Sequence, residues 1–193
     1  MPMATTPATA DMPRLKVRIA VAHRGADFPT QDDALGEALL ARVVAAEGKG
    51  FPPAVVVVRS DVLWTLDLRP FLKAGLPIDR VIASLAGMPD VEAVAFLGGV
   101  TRRVGGPETV EPEHLAGVFV EWPAGRWWAC FQPVTADARW VATDSRDILR
   151  AGDGLARPRG LGGWFSRARF EGLQAHFDPA PVLPPPPDDG WVN

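Results

Sequence analysis

Cysteine occurs once in these 193 residues and histidine three times, and each scarcity removes a class of chemistry. A lone Cys130 excludes an internal disulfide, and its place among aromatics in an extended run marks it as a small buried hydrophobe. With His23, His114 and His176 scattered along the chain, no zinc-ligand spacing exists. Basic charge is also lacking. Lys and Arg total 20 against 23 Asp and Glu, a net charge of -3, so no field is present to hold nucleic acid or an anionic membrane. No apolar run reaches the eighteen or so residues of a membrane span. The opening MPMATTPATADMP lacks the charged-then-apolar pattern of a signal peptide, so a cytoplasmic, reducing location is expected. There is no GxxxxGK(S/T) phosphate loop, no calcium-loop pattern and no repeat at solenoid spacing, and no cofactor is expected.

What is present is ordinary for a folded domain: 47% hydrophobic and 22% charged residues. Arginine outnumbers lysine 17 to 3 amid abundant alanine, glycine, proline and valine, read here as the mark of a GC-rich bacterial genome. The chain divides into a disordered lead at 1–13, a globular domain at 14–150, and an extension at 151–193. That extension is rich first in Gly and Arg, then in aromatics, then in Pro.

Gly117–Val134 states the architecture most plainly. Two nearly all-apolar runs flank Pro123-Ala124-Gly125, predicting a hairpin covered on both faces at the centre of a sheet. Trp127 and Trp128 are adjacent, so they point to opposite faces and each needs its own cover, one of them from the C-terminal extension. Leu15 to Val21 alternate as a half-buried strand whose apolar phase carries His23 toward the core. Thr30 and Asp33 resemble a helix cap, and Leu35, Leu39, Val43 and Ala46 recur at helical spacing to about Glu47. Ala54–Val58 is a doubly buried strand, and it closes a β-α-β opening unless the long linkers allow an antiparallel return.

Val62 to Leu68 alternate as the second arm of a hairpin, and Phe71–Gly75 is a loop or short helical turn. Pro77 then begins a second helix bearing Ile78, Val81, Ile82 and Leu85 on one face. Val91–Leu97 is the next strand. Gly98–Gly106 is a glycine-rich loop and Glu108–Glu113 an acidic one. Arg139–Thr143 is the last strand, followed by a short helix that Asp144 or Ser145 caps and that runs through Ile148 to Arg150. The fold expected is α+β: a single domain with a mixed or mostly antiparallel sheet of six or seven strands, two main helices, and the extension wrapping the sheet.

Each candidate site has a plain structural reading beside the functional one. His23 at a strand's end is a base or ligand, or a histidine capping the core with one hydrogen bond. Arg102 and Arg103 between two glycine pairs form a candidate anion-binding clamp, against a turn with solvated arginines. Asp144, Ser145 and Asp147 suit a metal or a helix cap. Cys130 as a nucleophile needs His114 in contact. Trp164, Phe165 and Trp191 are candidate partner-binding residues, because Pro184–Pro187 hold an extended conformation that delivers Trp191 beyond the fold. The favoured function is a non-catalytic protein-binding, assembly or accessory role in the bacterial cytoplasm, with another protein or a second copy engaged through the C-terminal extension. The alternatives are an enzyme with a site near His23 or His114, and a small-ligand sensor with a tryptophan-lined pocket.

Overall fold

The computed structural model of the protein describes residues 19–23, 29, 32–45, 52–60, 62–104, 111–134, 147–150 and 160–175. In chain order they form β1 (Ile19–His23), α1 (Asp32–Ala45), β2 (Ala54–Arg59), β3 (Val62–Asp67), α2 (Arg69–Lys73), α3 (Ile78–Ala86), β4 (Val91–Val104), β5 (Glu111–Glu121), β6 (Trp127–Pro133), β7 (Asp147–Arg150) and α4 (Trp164–Glu171). The strands make one seven-stranded sheet in the order β1-β3-β2-β4-β5-β6-β7, and every pairing is antiparallel. The class is α+β.

The order explains why helices cover both faces. β1 and β2 both pair antiparallel with β3, so they share a direction with β3 between them, and α1 is their crossover. β3 and β4 likewise flank β2 and share the opposite direction, joined by α2 and α3. Both crossovers step the same way along the sheet while their strands point oppositely. Two crossovers of one hand must then lie on opposite faces. They do: Leu35, Leu39, Leu40 and Val43 of α1 pack with Val56, Val58, Val118, Val120, Trp128 and Cys130. Phe71, Val81, Ile82 and Leu85 of α2 and α3 pack with Val55, Val57, Phe96, Phe119 and Trp127 on the other side. The β-α-β opening is thus a split one, with β3 inserted.

Burial on both faces is why β2 is written AVVVV: branched side chains fit the pleat, and residues 54–58 are all buried. α3 starts at Pro77, whose missing N–H and extended ψ of 110° suit a helix entry, and it ends at Gly87. The β5–β6 turn closes with Trp122 N donating to Arg126 O and Gly125 N to Trp122 O, both at 2.9 Å. Trp127 and Trp128 take opposite faces as expected.

Three expectations are corrected. The loop at Gly98–Gly106 is, through Val104, the second half of β4, with Gly98 opposite Gly117 and Arg102 opposite Glu113. Gly98 holds φ at 153°, a backbone only glycine adopts readily, and lies close against Pro53, so it sits within a strand and not at a turn. The helix through Ile148 to Arg150 is β7, pairing with Phe131–Trp128, because the free edge of β6 offers a ladder that a local cap cannot match. His23 is exposed at the end of an edge strand and does not face the core. The aromatic-basic segment after residue 163 is a helix, α4. The expected strand at 139–143 and the cap residues Asp144 and Ser145 lie outside the described residues, as do 176–193. Among the described residues no helix is long and apolar enough to cross a membrane.

The β3–α2 corner carries a local ion pair. Asp67 Oδ1 accepts from the Arg69 backbone N at 2.9 Å, and the guanidinium donates Nε to Oδ2 at 2.8 Å and Nη2 to Oδ2 at 2.6 Å. These bonds from Arg69, chiefly side chain to side chain, hold the Asp67 carboxyl below its ordinary 3.8, over the opposing effect of partial burial. A folded value below the unfolded one means that the contribution to stability is present above 3.8 and is lost as pH falls through the lowered folded value. Being exposed, the pair contributes little. NMR titration of Asp67 is expected to show a midpoint below 3.8 that rises in Arg69→Gln; a midpoint indifferent to the substitution contradicts the assignment.

Candidate functional site

The site is built from the way α4 is fastened to the sheet. Its N-cap is Gly163, at φ 77°, with no side chain to accept the helix's first amides. Glu121, at the end of β5 and wholly buried, supplies the acceptor from across the fold. One carboxylate oxygen takes Gly163 N at 2.9 Å and the other takes Trp164 N at 2.9 Å. A negative group at the positive end of a helix dipole, with charge-assisted bonds in a dry setting, is the strong form of this contact.

So anchored, Trp164 lies edge-on to Phe119 at 5.3 Å between ring centroids, and Phe119 stacks on Trp127 at 5.9 Å. Trp164 Nε1 points at Asp79 Oδ1 of α3, 3.4 Å away. Arg167 sits 4.0 Å from Asp79 and 3.7 Å from Glu171, exposed contacts worth little. Gly172, at φ 63°, ends the helix while Leu173 N bonds to Ala168 O. The chain then lies on α3, with Ala175 N donating to Ser84 O at 2.8 Å. It passes so close that a Cβ on Gly87 would collide with the Leu173 carbonyl.

Between α4, the end of α3, the turn into β4 and Pro123 of the β5–β6 turn is an open groove of about 450 Å³. Met88, Val91, Phe165 and Ala168 give it an apolar floor. Asp90, Arg169 and Gln174 supply its polar side chains, all of them exposed. Asp90 takes φ 61°, a left-handed conformation that aspartate tolerates, and its carboxylate lies 3.9 Å from Arg59. Arg169 reaches the Pro123 carbonyl at 3.5 Å, the limit of a hydrogen bond. The arrangement offers a donor, an acceptor and an amide around apolar surface, which is the composition of a binding groove.

Most of the residues singled out in the sequence are placed elsewhere. His23 and His114 are both exposed and stand four strands apart in the sheet order, on β1 and β5. Cys130 is fully buried on the α1 face, away from the groove. Arg102 and Arg103 occupy successive positions of β4. Trp164 is buried in the core of its own chain at 1% exposure and does not line the groove, whereas Phe165, also buried at 6%, does. His176 and Trp191 lie outside the described residues. None of the described tryptophans lines the groove, and among the described residues no group of three or more histidine, cysteine or acidic side chains gathers to hold a metal ion.

Sequence reasoning missed Glu121 as an anchor. The signal was one carboxylate inside GVFVEW, a run with no other reason to hold a charge. It also missed Asp90, Arg169 and Gln174, which no spacing links. Comparison with protein-family models, with curated proteins and with solved structures found no match to this chain.

Proposed function

We propose that this chain is a non-catalytic protein-binding module, and that the groove beside α4 receives an extended, largely apolar segment with an acidic residue. The observation that carries the reading is the groove itself: an apolar floor of Met88, Val91 and Phe165 with Arg169 on its wall. Its wall is made by the C-terminal extension, the part of the chain that the sequence marks for binding. An open trough suits a chain segment laid along it better than a small molecule, which needs enclosure. The placement of His23 and His114 gives the enzyme reading no shared site to build on, and the packed tryptophans give the sensor reading no lining.

The test uses the full chain with a photo-crosslinking amino acid at Gln174, on the groove, or at Lys73, exposed on α2. The expected result is an adduct from position 174 alone, mapping by mass spectrometry to one extended segment with an acidic residue and lost when Arg169→Glu is added. The same adducts from both positions, or adducts indifferent to Arg169→Glu, overturn the reading.

A further inference from the structure

We infer that the groove is occupied, in the resting protein, by this chain's own tail, with Asp188-Asp189 against Arg169 and Trp191 on the apolar floor. This rests on the groove being a peptide site, as proposed above. Three observations point to the tail as occupant. The first is where the chain leaves the described fold: Leu173 and Gln174 line the groove and Ala175 is fastened to α3, so residues 176–193 set out from the groove's own wall. The twelve residues 176–187 that precede Asp188 can extend about 40 Å, ample for a chain that turns back onto the wall it has just left.

The second is chemical fit. The floor is apolar, and the tail carries a large apolar ring in Trp191. Among the described residues Arg169 reaches the Pro123 carbonyl alone, at 3.5 Å, a marginal bond that leaves its fork of donors for a carboxylate. The tail offers two adjacent carboxylates, Asp188 and Asp189. Asp90, the acid on the groove, lies beside Arg59, which offsets its repulsion.

The third is conformational. Pro184–Pro187 impose an extended polyproline stretch of about 12 Å, so little backbone freedom remains to be lost on docking. A short tether also supplies an effective concentration in the millimolar range, so that a contact too weak to bind between molecules is populated within one. The consequence is autoinhibition: a partner segment of the same chemistry must displace the tail before it binds.

The experiment is paramagnetic relaxation on the full chain, spin-labelled through Asn193→Cys, with Cys130 protected by its burial. The amides of Val91, Arg169 and Gln174 are expected to broaden, while those of Ala22 and His23 on the edge strand do not. Adding Trp191→Ala is expected to lower the docked-to-undocked ratio about tenfold, equivalent to about 1.4 kcal/mol. Broadening that is absent or unselective overturns the inference. So does broadening found only between labelled and unlabelled copies in a mixture, since the occupant is then another molecule. If relaxation fails while the crosslink at position 174 still depends on Arg169, the groove remains a peptide site and only self-occupancy falls; if both fail, both fall.

Discussion

Gly36→Ala is expected to destabilise the protein by about 1–2 kcal/mol, against the usual sign of that substitution. In a helix interior alanine is better than glycine by about 1 kcal/mol, because glycine has more backbone freedom to lose. Gly36 lies inside α1 and is buried. A Cβ there would fall within the indole of Trp128, too close to its Cε3 and Cδ2 atoms for any real contact. Trp128 is 1% exposed, with the sheet beneath it and α1 above. Its Nε1–H is buried with no hydrogen-bond partner among the described residues, so packing holds the ring in place. The ring has nowhere to move, and α1 must lift. Overpacking of this kind costs about 1–3 kcal/mol and occasionally more, enough to outweigh the helix-propensity gain. Urea unfolding measures the difference. The double variant Gly36→Ala with Trp128→Leu is expected to lose less than the sum of the two single changes, since the smaller side chain accepts the new methyl group. A stabilised Gly36→Ala protein contradicts the packing of α1 on β6.

The second large effect is expected at Glu121. Glu121→Ala removes the acceptor of two charge-assisted bonds and leaves Gly163 N and Trp164 N without it. Losing the carboxylate also relieves the cost of having buried it, which opposes the loss. The two stranded amides and the emptied volume outweigh that relief, and a net loss of about 2–3 kcal/mol is expected. Glu121→Gln keeps the shape but turns an NH₂ toward a backbone N–H, so it is expected to fall between wild type and alanine. Hydrogen exchange distinguishes anchoring from general weakening. Protection is expected to fall at α4 and along residues 173–175 well before it falls in β2 and β4. Equal loss everywhere, or unchanged stability, overturns the assignment of Glu121 as the fastening of α4.

The legible parts of the fold are those where local preference and final burial agree. The valines of β2, the alternation of β3, the proline-led amphipathic α3 and the β5–β6 hairpin each carry their own signal, and each is found where its pattern places it. The misread parts are those where a residue type serves two purposes. Glycine at 98 and 99 reads as a turn, yet at 98 it also permits a positive φ and a close approach to Pro53 within a 14-residue strand. Ile148 to Arg150 is short enough to take either backbone form, and the open edge of β6 selects the extended one. His23 follows an apolar phase to the end of an edge strand, where Ile19 still packs on the core but His23 itself is exposed. The groove was illegible for another reason: Asp90, Pro123 and Arg169 come from three separate turns and helices, with no periodicity to relate them.

By itself the sequence determined the class of the protein and its core-forming strands. Burial of apolar side chains is a property each segment states alone, through its period and its branching. Tertiary structure alone decided the order of the strands, the faces of the two crossovers, and the pairing of Glu121 with the amides of α4 forty-two residues away. Those are choices among partners, made by closing long loops, and no local preference distinguishes one partner from another until the chain has brought them together.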